Sequence, residues 1–285
     1  ASQHGRSPAQ RGLVARLHTA IPPYVKPGGP DAGTEVNVTS SIDVQFDNDW
    51  KKRFAAWSHR VYEDADSHTP TTNQRYVLQV IHFRIVKEYY EFHGEDFASV
   101  WQQKPPDINV DMPLLRLIHG LPGSGKSQLL LWIKNYFEEV WLWELNNQFA
   151  IVAPQNAMAD NIGGGTMHSF GGIAFKDRRG VVVNAGGFMD DDMQSVLSKK
   201  WHNLRFLLID EIEAGGVDIV AQIEEKMHAN VPMTVGVLEG LRSTQHGQRT
   251  REYAFGGVNV FLFGDFWQLD PTGSKSFMSN PCEGS

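Results

Sequence analysis

Eight consecutive residues, Gly120-Leu121-Pro122-Gly123-Ser124-Gly125-Lys126-Ser127, combine glycines, a lysine and a hydroxyl at the spacing G-x-x-x-x-G-K-[ST]. The chemistry this allows is phosphate binding. Gly120, Gly123 and Gly125 let the backbone wrap with its N–H groups turned inward, and a helix starting at this point adds its positive dipole end. Ser124 lies inside that wrap, Lys126 offers a cation to the β- and γ-phosphates, and the Ser127 hydroxyl suits Mg²⁺. By average residue usage such a match arises by chance about once in tens of thousands of positions. A second constellation, Asp210-Glu211, closes the apolar run Leu207-Leu208-Ile209. Asp210 could hold the shell of a Mg²⁺ ion, and Glu211 could orient and deprotonate an attacking water. Glu213 and Asp218 follow closely, which also fits a solvated acidic turn. A third candidate is Gln268 in Phe263-Gly264-Asp265-Phe266-Trp267-Gln268, a neutral donor and acceptor able to contact a γ-phosphate or a water.

These groups need a scaffold, and the apolar pattern supplies one. Nearly continuous apolar runs at Leu114 to Ile118, Phe149 to Ala153, Leu204 to Ile209 and Val258 to Phe263 predict strands of a parallel sheet covered on both faces. Between the first two, Leu129, Trp132, Ile133, Tyr136, Phe137 and Val140 recur at spacings of three and four, which predicts an amphipathic helix. The phosphate loop therefore lies between a strand and a helix, as its chemistry requires. The expected class is α/β, with ligands at the carboxyl ends of the strands. Upstream, one helix is expected around Trp50 to Tyr62. A second starts after Pro70-Thr71-Thr72-Asn73, places Val77, Leu78, Ile81 and Ile85 on one face, and runs to about Phe92. The Pro- and Gly-interrupted stretch before residue 48 reads as an irregular arm.

Composition narrows the classes. Hydrophobic residues make up 41% and charged residues 21% of the 285, which fits neither a disordered chain nor a membrane bundle. No stretch approaches the roughly 20 apolar residues that span a bilayer. The single cysteine, Cys282, excludes an intrachain disulfide and a multi-cysteine zinc site and favours an intracellular setting. The formal charge of −7 argues against non-specific coating of nucleic acid, but a whole-chain sum does not speak to a guided channel. The tryptophans are expected in the core rather than under bases, and Asp190-Asp191-Asp192 is expected to open a helix.

Four stretches in order carry a family resemblance: Gly120 to Ser127; Ala153-Pro154-Gln155 through Gly163 to Phe170; Leu208 to Ile212; and Gly256-Gly257 through Gly264 to Pro271. Together they resemble the first RecA-like domain of the PIF-type (petite integration frequency) DNA helicases of superfamily 1B, especially those borne by Helitron-type mobile elements, which also have a tryptophan at the position of Trp201. The resemblance implies a RecA-like P-loop NTPase domain over residues 70–285, preceded by an arm over 1–69. It implies an ATP hydrolase that moves 5′-to-3′ on single-stranded DNA with Mg²⁺, with roles in DNA repair, recombination and telomere maintenance, and a nuclear location if the source is eukaryotic. It assigns Gln74 to the adenine base, Thr166, His168 and Ser169 to single-stranded DNA, and Gln268 to phosphate sensing. A second RecA-like domain, carrying an arginine finger, is expected beyond residue 285, so the fragment alone is expected to bind Mg-ATP and to unwind little. Two departures stand out: Glu213 where a serine is usual, and Asp270 where a proline is usual. From the residues alone, a P-loop phosphotransferase and an inactive relic or binding module of a mobile element remain open.

Overall fold

A computed structural model describes residues 49–64, 68–93, 108, 110, 112–156, 163–176, 182–183, 196–231 and 253–265. Two long helices come first, α1 (Asp49–Tyr62) and α2 (Thr72–His93). The α/β part then runs β1 (Leu115–His119), α3 (Lys126–Asn135) with a π-helical turn (Tyr136–Val140), β2 (Phe149–Ala153), β3 (Gly165–Thr166) and α4 (Met167–Gly171). After these come β4 (Phe175–Lys176), β5 (Val182–Val183), β6 (Phe206–Ile209), α5 (Ile212–Gly215), α6 (Val217–Asn230), a 3₁₀ turn (Ala254–Gly257) and β7 (Asn259–Gly264). All four strands expected from the apolar runs are present, within two residues of their expected limits. The small antiparallel pair β4–β5 was not expected.

The main sheet has the order β1-β7-β6-β2-β3 and is parallel throughout. This order places β7 between the strand that enters the phosphate loop and the strand that enters the acidic pair. Alternation along the strands divides the interior into two cores. Phe149, Ile151, Phe206, Leu208, Phe261 and Phe263 point to one face, where they meet α1, α2, α3 and the π-helical turn. Ala150, Val152, Leu207, Ile209 and Val260 point to the other, against α4, α5, α6 and Trp201. The whole stripe predicted for α3 is buried, including Tyr136, Phe137 and Val140 in the π-helical turn. β1 departs from the expected two-sided cover: it is an edge strand, and Leu115 and Leu117 are 50% and 53% exposed.

The helix assigned to the arm on sequence does not stand apart. Trp57 and Val61 of α1 belong to the same core as α2 and α3. Trp50 stacks on Trp141 at 5.0 Å between ring centroids, and Arg53 Nε donates to the Val140 carbonyl at 2.8 Å. Every described tryptophan is buried or half-buried, as expected of core residues. Trp101, Trp267 and the Asp190 to Asp192 run lie outside the described residues.

At the amino ends of the strands a buried ionic cluster ties α2 to the sheet. Arg84 Nε donates to Glu88 at 2.7 Å, and Arg205, just before β6, pairs with the other oxygen of the same carboxylate. Asn259, the first residue of β7, donates to Glu88 at 3.3 Å and accepts from the Leu114 N–H at 2.9 Å. Among the described residues no helix is long and apolar enough to cross a membrane.

Candidate nucleotide-binding site

The carboxyl ends of β1 and β6 open onto a cleft of about 290 Å³ lined by Pro122, Gly123, Gly125, Lys126, Ser127, Asp210, Glu211 and Glu213. The local chain conformation explains why the sequence folds this way. β1 stops at His119, and the Gly120 N–H donates to the Gly264 carbonyl at 3.2 Å, which fixes the loop to the end of β7. Gly123 and Gly125 take positive φ, at 75° and 84°, a region closed to most side chains. Gly125 then caps α3, and Lys126 and Ser127 occupy its first turn. The Lys126 ammonium folds back onto the carbonyls of Gly120 and, at 3.2 Å, Leu121. Those carbonyls hold the cation over the loop, within the same cleft as Ser127.

Across the cleft, Asp210 is 7% exposed, and one of its carboxylate oxygens accepts from the Glu211 N–H at 3.0 Å. Glu211 has a left-handed backbone, φ 49° and ψ 46°, and α5 begins immediately after it. A glutamate held at positive φ is the kind of local strain that clusters at functional sites. Burial pushes the Asp210 carboxyl above the usual carboxylate range, against the pull of the Glu211 N–H and the Lys126 charge. Glu211 is raised by burial and then by the neighbouring Asp210 and Glu213 charges. Glu213 is raised as well, chiefly by burial. Among the described residues, three acidic groups thus share one cation, Lys126, and the cleft favours a ligand that brings positive charge into it.

Glu213 corrects the reading of a solvated acidic turn. Asp218 is exposed and fits that reading, but Glu213 is only 7% exposed and lines the cleft. Its carboxylate accepts from the Asp265 N–H, and Oε2 makes no hydrogen bond among the described residues. Sequence reasoning met Glu213 as part of an acidic turn and as a departure from a family pattern, not as a site residue. Its position beside buried Ile212 in the first turn of α5 was the signal available, and the shortness of that helix hid it.

Gln74 sits beside the phosphate loop but does not line the cleft. It is the third residue of α2 and completes a capping box: its Oε1 accepts from the Thr71 N–H at 2.8 Å, and its own N–H reaches the Thr71 hydroxyl at 3.4 Å. Its Nε2 donates to the Gly125 carbonyl at 3.1 Å, so a Cβ on Gly125 would lie 2.7 Å from that nitrogen. Gln74 is therefore both a helix cap and a brace for the end of the loop.

Thr166, His168 and Ser169 lie at the other edge of the sheet, where β3 enters α4. The Thr166 side chain caps α4, accepting from the Ser169 N–H at 3.2 Å, while Met167 and Phe170 are buried and Ser169 is exposed. Burial holds the His168 imidazole below its usual pKa. Lys200 and Lys226 support this turn from below, donating to the carbonyls of Ser169 and Phe170 and of Gly171 and Gly172. Gln268 and Asp270 lie outside the described residues.

A parallel α/β sheet whose first strand passes through G-x-x-x-x-G-K-[ST] into a helix, with a carboxylate pair ending a nearby strand, defines a P-loop nucleotide-binding domain of the RecA-like kind. Comparison with known proteins bears out the resemblance to PIF-type helicases. The chain is 26% identical over 161 residues to the ATP-dependent DNA helicase RRM3 of Saccharomyces cerevisiae, covering 55% of this chain and 18% of that protein. It is 31% identical over 163 residues to the ATP-dependent DNA helicase PIF6 of Trypanosoma brucei brucei, covering 55% of this chain and 16% of that protein. Among solved structures it is similar to Pif1 helicase from Bacteroides in complex with ADP-AlF3 and ssDNA, with 23% identity, a TM-score of 0.41, and coverage of 73% of this chain and 35% of that one. Pif1 helicase from Candida albicans gives 22% identity, a TM-score of 0.39, and coverage of 72% and 34%. No family model matches the chain. The chain thus spans at most a fifth of the length of these curated relatives.

Proposed function

We propose that this chain is the ATP-binding motor domain of a PIF-type DNA helicase, coupling ATP hydrolysis to 5′-to-3′ movement on single-stranded DNA. The observation that carries the reading is the convergence of Lys126, Ser127, Asp210 and Glu211 on one cleft. The phosphate loop N–H groups and the α3 amino end receive the phosphates, and Lys126 leaves the Gly120 and Leu121 carbonyls to neutralise them. Ser127 and Asp210 are the residues to hold Mg²⁺, which when bound offsets charge between the β- and γ-phosphates. The Asp210 and Glu211 carboxyls, both raised first by burial, fit a cation there. Glu211, kept basic first by burial and then by its neighbours' charge, takes the proton of the attacking water. Gln74 exchanges its contact with the loop for the adenine edge, and Gln268 reports the γ-phosphate. Thr166, His168 and Ser169 follow the strand backbone at the far edge of the sheet.

Movement needs a second RecA-like domain, expected beyond residue 285, to close on the cleft. An intracellular, and in a eukaryote nuclear, role in repair, recombination or telomere maintenance goes with this reading. The test is ATP turnover with and without single-stranded DNA, for this chain and for Glu211→Gln. We expect slow turnover that falls about 100-fold or more in the variant with nucleotide binding retained. Equal turnover in the two proteins would overturn the reading, as would robust unwinding by residues 1–285 alone.

A further inference from the structure

Glu213 is a buried carboxylate that the roles above leave unused. It lies between Glu211 and the end of β7, and its carboxylate accepts from the Asp265 N–H. Gly264 passes so close that a Cβ there would lie 2.6 Å from Glu213 Oε2. That oxygen has no hydrogen-bond partner among the described residues, and the side chain lines the cleft shared by Lys126, Ser127 and Asp210. A buried acceptor left unsatisfied loses its hydration without compensation, so it calls for a donor that enters with a ligand.

The chemistry of the cleft narrows that donor. A nucleotide's phosphates are acceptors only and would repel Glu213. The donors that enter with them are the waters of a divalent cation. Mg²⁺ dehydrates reluctantly and keeps several waters, each needing an acceptor. We propose that Glu213 is an outer ligand of that cation, accepting a hydrogen bond on Oε2 from its water shell beside Asp210. The inference rests on the reading of the cleft as a Mg-nucleotide site.

The test measures cation binding rather than turnover. Mn²⁺ is titrated into the 285-residue chain with saturating ADP, following free Mn²⁺ by electron paramagnetic resonance, for wild type, Glu213→Gln, Glu213→Ser and Asp210→Asn. ADP binding in EDTA is measured alongside. Both Glu213 variants should weaken Mn²⁺ about tenfold without weakening ADP binding in EDTA, where loss of the repelling charge leaves it equal or tighter. Mn²⁺ affinity within about twofold of wild type in both Glu213 variants, with Asp210→Asn still weakened, would overturn the role of Glu213 and leave the cleft reading standing. If Asp210→Asn also binds Mn²⁺ like wild type, the cleft reading falls with it. Loss of ADP binding in EDTA by both Glu213 variants would make Glu213 a structural group and equally overturn the proposal.

Discussion

Glu88 and Glu213 are both buried carboxylates, and they sit at opposite ends of β7. Their surroundings could hardly differ more. Burial would raise the Glu88 carboxyl, but Arg205, Arg84 and the Asn259 amide outweigh it and hold the group below the usual range. Among the described residues Glu213 has no guanidinium beside it and keeps an oxygen without a partner, and it is raised by burial. A carboxylate with its partners built in locks α2 to the sheet. One left short of partners holds an acceptor ready for a ligand, at a cost to the empty fold.

The same kind of substitution at the two ends should therefore give opposite results. The largest effect is expected for Glu88→Ala, which leaves Arg84 and Arg205 facing each other without a counter-charge. Urea denaturation should show a loss of about 3–5 kcal/mol, and a loss below 1 kcal/mol would erase the contrast. Next comes pH. Glu88 has a depressed pKa, so its contribution is present above the ordinary carboxylate value and is lost as pH falls through its depressed one. His82 acts in the same direction: burial lowers its pKa to about 4, it stacks on Phe54 at 4.1 Å, and its contribution fades as pH falls from about 6.5 towards 4. The cleft carboxyls behave in reverse. Their pKa values are raised, so their contribution is full below the ordinary carboxylate value and is lost as pH rises through the raised one. Melting temperatures from pH 4 to 8 should separate the two trends, because Glu213→Gln should flatten the loss on the neutral side without changing the acid side.

Smaller effects sharpen the comparison. Gly264→Ala puts a methyl group 2.6 Å from Ile212 Cγ2 and from Glu213 Oε2, and should cost about 1–3 kcal/mol of stability on urea denaturation. A cost near zero would mean the end of β7 yields more readily than its packing indicates. The smallest expected effect has the opposite sign. Glu213→Gln should raise the melting temperature of the nucleotide-free chain at pH 8 by roughly 2 °C. A fall at pH 8 would show that Glu213 is satisfied in the empty fold.

What could be read in the sequence follows from which signals are local. The phosphate loop, the acidic pair and the α/β class rest on contiguous residues and periodic apolar runs; the structure bears out the α/β class and brings residues of both motifs to one cleft. The second helix was found within two residues at each end because helix-starting residues cluster at its amino end, where Thr71 and Gln74 form a capping box. Strand order was not legible, since nothing local to β7 says that it lies between β1 and β6. Nor was the exposure of Leu115 and Leu117 on the edge strand β1. Glu213 was hidden for a related reason: its burial depends on Gly264, 51 positions away in the chain and in van der Waals reach in the fold. The docking of α1 was missed because an irregular arm before it suggested a boundary that the stacking of Trp50 on Trp141 does not respect.

The central claim is that the cleft between β1 and β6 is a nucleotide site centred on Lys126. The most direct test is the titration of a fluorescent ADP analogue with Mg²⁺ into the wild-type chain and into Lys126→Ala. Binding should weaken about 100-fold or more in the variant while its melting curve stays that of the wild type. Equal affinity in the two proteins would contradict the account.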